Sequence, residues 1–157
     1  MSIEDVRRYF KEKGITNEIL EFMDNTSTVE LAAATLGVEG ARIAKSLSFR
    51  DESGAILVVA AGDTKIDNRK FKEEFGVKAK MLSPDEVIEF TGHAIGGVCP
   101  FGMARDVNVY LDESMKRFNT VFPACGSANS AVELTLEELY KYSGAVKWVD
   151  VCKLKDS

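Results

Sequence analysis

The sequence predicts a mixed β-sheet flanked by helices, an α/β arrangement of the α+β kind. Two observations carry that reading. The apolar runs Ser46 to Phe49 and Ala55 to Ala61 flank Asp51-Glu52-Ser53-Gly54, turn chemistry that joins antiparallel strands in a hairpin. Helix-start signals recur between strand candidates along the whole chain. A hairpin inside an interleaved pattern favours a mixed sheet over an all-parallel one.

Taken in order, Ser2 with Asp5 resembles a capping box, and Ile3, Val6 and Phe10 share one face of a first helix that Gly14 stops. Ile19 to Met23 is a short strand candidate. Ser27 with Glu30 repeats the capping signal before Leu31-Ala32-Ala33-Ala34, closed by Gly37. The hairpin follows. Asp67 to Phe75 reads as helical and ends at Gly76. Ser83-Pro84-Asp85-Glu86 places an N-cap serine, a proline at the first helical position and a glutamate at the third, so a helix runs from there to Gly92. Gly92 to Gly102, with four glycines and a proline, is a loop. Val107 to Leu111, Val121 to Ala124 and Ala131 to Leu134 are strand candidates. Thr135 with Glu138 caps a last helix up to Gly144, and Val146 to Val151 is a final strand.

At 157 residues the chain fits one domain, residues 1–157, with one sizeable core. No apolar run approaches the roughly 20 residues of a membrane-spanning helix, and the opening MSIEDVRRYF has no signal-peptide core. A cytoplasmic protein is expected. Cys99, Cys125 and Cys152 form no CxxC pair, and His93 is the single histidine, so neither disulfides nor a metal site is expected. A net charge of −5 argues against a uniformly basic nucleic-acid-coating surface. Lys65 to Lys80, however, holds six bases against three acids: either a solvated helix face or a patch for an RNA backbone.

Four stretches can carry chemistry. Gly96-Gly97-Val98-Cys99-Pro100-Phe101-Gly102 is either a tight connection or a cradle whose N–H groups bind an oxyanion. Lys45, at the head of an apolar strand, faces water or points into a cleft as a fixed positive charge. Ala124-Cys125-Gly126-Ser127-Ala128-Asn129 is a turn whose backbone and Ser127 hydroxyl can touch a substrate. Asp63 and Lys65 follow the hairpin at a strand end, where turn and capping roles are also common. A Cys99 nucleophile with His93 as base is a further reading, although six residues of separation fix no geometry.

These pieces together resemble the YbaK/prolyl-tRNA synthetase-associated domain family. The matching motifs are Lys45-Ser46-Leu47, Gly62-Asp63 with Lys65-Ile66-Asp67, Gly96 to Gly102, and Phe122-Pro123-Ala124-Cys125-Gly126-Ser127 running into Val132-Glu133-Leu134-Thr135. Their order spans about residues 20 to 150. The resemblance implies a free-standing deacylase that hydrolyses the ester of mischarged tRNA, tRNAPro carrying a small amino acid such as cysteine or alanine, with no cofactor. It implies catalytic roles for Lys45, Gly96 and Pro100, and substrate contacts from Ser46, Asp63, Lys65, Gly97, Val98, Cys99, Phe101, Gly126 and Ser127. Aminoacyl-tRNA, with transient association to prolyl-tRNA synthetase, is the implied partner. Phe22 stands where some relatives carry tyrosine, and Asn129-Ser130 where some carry an acid. The competing readings are a non-catalytic tRNA- or synthetase-binding module of the same fold, and a cysteine hydrolase using Cys99.

Overall fold

A computed structural model describes residues 2–52 and 54–156, with Ser2 described by its backbone alone. In chain order the elements are α1 (Ser2–Lys13), β1 (Leu20–Glu21), α2 (Val29–Leu36), β2 (Ile43–Asp51), β3 (Gly54–Ala61), β4 (Thr64–Ile66), α3 (Asn68–Phe75), α4 (Pro84–Thr91), β5 (Asn108–Asp112), β6 (Thr120–Pro123), β7 (Ser130–Ala131), β8 (Leu134–Thr135), α5 (Leu136–Ser143), β9 (Lys147–Val149) and β10 (Cys152–Leu154). Short 3₁₀ turns at Gly40–Arg42 and Glu113–Arg117 precede β2 and β6.

The main sheet has the order β8-β6-β2-β3-β5-β9. Its centre is the predicted hairpin, in register from Ala44 opposite Ala61 to Asp51 opposite Gly54. Strand β5 adds parallel to β3, β9 parallel to β5, and β6 parallel to β2. The sheet is mixed, as the interleaved pattern requires.

Strand β3 is apolar throughout because both its faces are covered. Leu57, Val59 and Ala61 pack with Val6, Phe10, Val87 and Leu139 from three helices. Ile56, Val58 and Ala60 pack on the opposite side with Phe71 of α3 and with Val149 and Val151. Complete burial of a side chain such as Leu57 or Phe71 contributes about 1.5–3 kcal/mol.

Helix ends follow the local chemistry closely. Ser83 and Thr135 each form a full capping box, with Glu86 and Glu138. Gly37, Gly76, Gly92 and Gly144 terminate helices in the left-handed region. One cap shifts by a residue. Thr28, not Ser27, accepts from Leu31 N at 3.1 Å, while the Ser27 N–H donates to Asn25 Oδ1 at 2.7 Å. The predicted cap at Ser2 rests on a side chain outside the described residues.

Three strand expectations need correction. Ile19 to Met23 contracts to the two residues of β1. Ala131 to Leu134 divides, because Ser130 and Ala131 pair with β1 whereas Leu134 and Thr135 pair with β6. Val146 to Val151 ends at Val149; Asp112 Oδ1 then takes the Val151 N–H at 2.8 Å, and the chain turns into β10. That strand pairs with β4 in a separate two-stranded ribbon, which no local signal announced.

Candidate active site

Among the described residues, the edge of β2 away from β3 has no partner strand midway along its length. Strand β6 pairs only with Ile43 and Ala44, through Phe122 and Pro123. Towards the other end of β2, Leu82 N donates to Ser48 O at 3.2 Å and Arg50 N to Lys80 O at 2.9 Å. Backbone direction alternates along a strand, so the Ser46 N–H and C=O project from this same edge, where no strand meets them.

A cleft of about 240 Å³ occupies the gap. Its walls are β2 from Ile43 to Ser48, the hydroxyl-rich segment Thr26 to Val29, the loop residues Ile95, Gly96 and Val98, the end of β6 at Phe122 and Ala124, and Met81 and Leu82. Lys45 is the one charged side chain among the described residues that line it. Ser46 Oγ is buried with no hydrogen-bond partner among the described residues, which leaves it available to a bound group.

Three loops close the cleft, and close approach dictates their glycines. Ala94 to Gly97 forms a turn in which Gly97 N donates to Ala94 O at 3.0 Å, with Gly96 at φ 99° in its third position, a conformation suited to glycine. A Cβ on Gly97 would stand 2.6 Å from Ser127 N, and one on Gly96 2.8 Å from Ser27 Cβ. Gly126 N donates to Gly97 O at 2.9 Å, and Thr26 N to Ala128 O at 2.6 Å. The glycine loop is thereby stitched to the Gly126–Ala128 turn and to the Thr26–Ser27 segment.

Lys45 Nζ donates to the Thr64 carbonyl at the start of β4. Burial, and then the nearby Lys155 ammonium, hold its pKa below the usual lysine value, while the Asp63 and Glu30 carboxylates act in the opposite sense. The side chain is half-buried. A lysine so placed is a fixed charge beside a largely apolar cleft, where electrostatic attraction is weakly screened.

The structure separates the expected site residues into three groups. Lys45, Ser46, Gly96 and Val98 line the cleft. Gly97, Gly126 and Ser127 form the layer behind; the Gly97 N–H, expected as an oxyanion donor, and the Gly126 N–H are already committed within the loops. Ser127 Oγ bonds Asn129 Oδ1 and Ser130 Oγ, at 2.9 and 2.8 Å. Pro100 is buried behind the loop.

Cys99 and Phe101, read as substrate contacts, are fully buried and lie off the cleft wall. Phe101 packs edge-on to Phe10 of α1, centroids 5.3 Å apart. Asp63 is likewise off the wall, clamped by Arg117 through two bonds of 2.9 and 2.7 Å. Lys65 stands exposed in the β4–β10 ribbon.

The proposed thiol–imidazole pair does come together, but in the core. His93 Nε2 lies 2.7 Å from Phe101 O and 3.7 Å from Cys99 Sγ. The Phe101 carbonyl can only accept, so Nε2 carries the proton and Nδ1 is left as an acceptor without a partner among the described residues. Burial pushes the Cys99 thiol up to about 12 and lowers the His93 pKa, so each is held neutral. Among the described residues no group of three His, Cys, Asp or Glu side chains could hold a metal ion, and no helix is long and apolar enough to cross a membrane.

Sequence reasoning missed Thr26, Thr28, Ser48, Met81, Ile95 and Ser130 of the cleft wall. The hydroxyl run Thr26-Ser27-Thr28 and the Ser46-x-Ser48 alternation were the available signals. Met81 and Ile95 gave none, and both are exposed at the cleft mouth. Phe22 is bonded through its backbone, N–H to Asn129 O and C=O from Asn129 Nδ2, each at 2.8 Å.

Comparison with known proteins gives concordant results. Residues 24–142 match the model of a family described as "Aminoacyl-tRNA editing domain". The chain is 60% identical to "Uncharacterized protein YwhH" of Bacillus subtilis (strain 168) over 98% of each chain. It is 28% identical to "Putative Cys-tRNA(Pro)/Cys-tRNA(Cys) deacylase EbsC" of Enterococcus faecalis, over 71% of this chain and 70% of that one. A crystal structure described as "a putative trans-editing enzyme for prolyl tRNA synthetase" superposes with a TM-score of 0.89 at 32% identity, covering 97% of both chains.

Proposed function

The chain belongs to the aminoacyl-tRNA editing domain family, and from that premise we propose that it hydrolyses the ester joining a small non-cognate amino acid, cysteine or alanine, to the terminal ribose of tRNAPro. The observation that carries the reading is the cleft at the free edge of β2. It offers backbone donors, hydroxyls and a single cation, and presents no thiolate or imidazole to a substrate.

In this reading the ester carbonyl lies against the glycine loop. Among the described residues the N–H groups of Gly96 and Val98 meet no backbone carbonyl, and with the Ser46 N–H they are the donors free to face a developing oxyanion. Lys45 holds the terminal nucleotide's phosphate or hydroxyls. Water adds to the carbonyl, with the vicinal ribose hydroxyl assisting. The C–O bond to the ribose then breaks, and the departing oxygen takes a proton. With a cysteinyl ester, the substrate's own thiol can attack in place of water.

One methylene changes binding by only about 1–3 kcal/mol, so the edited amino acid must be found by assay. The test is deacylation of tRNAPro charged with alanine, cysteine, serine or proline, by wild type and by Lys45→Ala. Hydrolysis of one mischarged species, reduced about 100-fold or more by the substitution as positioning is lost, supports the proposal. A panel that stays acylated beside a protein that still binds tRNA would favour a non-catalytic module.

A further inference from the structure

The β4–β10 ribbon carries a charge arrangement that folding alone does not favour. Lys153 stands directly opposite Lys65 in the antiparallel register, so the two side chains emerge on the same face, and like charges so placed repel. The pairing continues to Lys155, whose N–H bonds Asp63 O at 3.0 Å. All three lysines are exposed, and among the described residues none forms an ion pair.

Two acids lie near these three lysines, too few to balance them. Asp63 is clamped by Arg117. Asp67, which feels Lys153, accepts from Arg69 N and Lys70 N at 3.1 and 3.2 Å as the N-cap of α3. The ribbon also abuts the cleft, because Lys45 Nζ is bonded to Thr64 of β4. Lys153 and Lys155 are two residues apart, about 7 Å along a strand, a pitch that suits successive phosphates.

We propose that the β4–β10 ribbon, through Lys65, Lys153 and Lys155, is the docking surface for the sugar-phosphate backbone of the RNA whose acylated end enters the cleft at Lys45. The surface rests on the editing function proposed above for its occupant. A chain with net charge −5 needs such a local basic track to bind a polyanion, and this one ends at the cation of the cleft.

The test uses the full chain with Lys153→Glu and, separately, Lys65→Glu; Lys155 is left in place because it borders Lys45. Each reversal turns the Lys65–Lys153 repulsion into an attraction, so Tm should hold or rise in Lys65→Glu; in Lys153→Glu the new carboxylate also meets Asp67, and Tm should change little. Binding of uncharged tRNAPro is measured against salt concentration. Deacylation is measured on aminoacyl-tRNA and on a short aminoacylated oligonucleotide that carries only the 3′ end. Each variant should bind tRNA about five- to tenfold more weakly, with the slope of log K on log salt smaller by about 1. Hydrolysis of the short substrate by Lys153→Glu should match wild type. Unchanged affinity and slope in both variants would overturn the proposal and leave an acidic protein surface as the ribbon's partner. If wild type hydrolyses neither substrate, the editing function fails while the salt slope still decides the surface.

Discussion

Lys45 is placed where its charge titrates early. Burial and Lys155 lower its pKa, so the ammonium is lost at a lower pH than the ordinary lysine value of about 10.4. If the ammonium positions the substrate, kcat/KM falls on the alkaline side as pH rises through that depressed pKa. In Lys45→Arg the guanidinium stays charged (pKa above about 12), and the alkaline limb should move up, at whatever rate the altered geometry allows. The measurement is a pH–rate profile corrected for spontaneous ester hydrolysis; an alkaline limb shared by both proteins would remove Lys45 from that role. Cys99 gives the opposite expectation. Its thiol is buried and pushed up to about 12, so Cys99→Ala should deacylate within about threefold of wild type, where loss of a true nucleophile would abolish turnover, at a stability cost of ~1 kcal/mol. Lys45 and the glycines were legible in the sequence because each departs from what its surroundings ask for: a cation in an apolar run, and small residues clustered in one loop. Asp63, Cys99 and Phe101 sit within the same motifs yet face away from the cleft, and motif membership does not encode orientation.

Among elements, the helices and the β2–β3 hairpin were legible and the long-range strand partners were not, for reasons of range. Ser83, Thr135 and the glycines that follow each helix each bond a partner three or four residues away, so their chemistry is complete in a short window. The division of Ala131 to Leu134 between β7 and β8 depends on where β1 and β6 stop, and the ribbon depends on a meeting of residues more than eighty positions apart. The gap beside Ser46 is of the same kind: it exists because β6 stops pairing after Ala44 opposite Pro123. A local prediction can therefore be firm. Ser83→Ala removes the hydroxyl that accepts from Glu86 N and loosens the box that Glu86 completes on Ser83 N. The expected cost is about 1 kcal/mol, read from the midpoint of denaturant unfolding at unchanged m-value. A loss below a few tenths of a kcal/mol would mean that α4 is held by the burial of Val87 with little help from its cap.

At the scale of the whole molecule, stability should carry the mark of its single histidine. His93 is fully buried, donates to Phe101 O and leaves Nδ1 unpaired among the described residues. Its titratable neighbours are Cys99, held as a thiol, and Asp5, whose charge only partly offsets burial. The folded-state pKa therefore lies below the unfolded value of about 6.5. Above that pH both states hold the imidazole neutral and the group adds no pH dependence. As pH falls below it, the unfolded chain takes up a proton that the folded chain refuses, and stability drops until the folded pKa is reached. The slope is bounded at about 1.4 kcal/mol per pH unit for one proton. The depressed carboxyls of Asp63 and Glu138 act in the same direction but only nearer pH 4, where unfolded carboxylates protonate, so the window between about pH 6.5 and 5 belongs to His93. In His93→Gln, an amide that can still donate to Phe101 O replaces the ring and does not titrate. Denaturant unfolding of both proteins across pH 5 to 8 should show the variant flat where wild type declines, with both lines parallel above pH 7. A wild-type stability that holds level down to pH 5 would mean that the cavity around Nδ1 admits water or reorganises to accept the charge, and the neutral core drawn between α1 and the glycine loop would then be wrong.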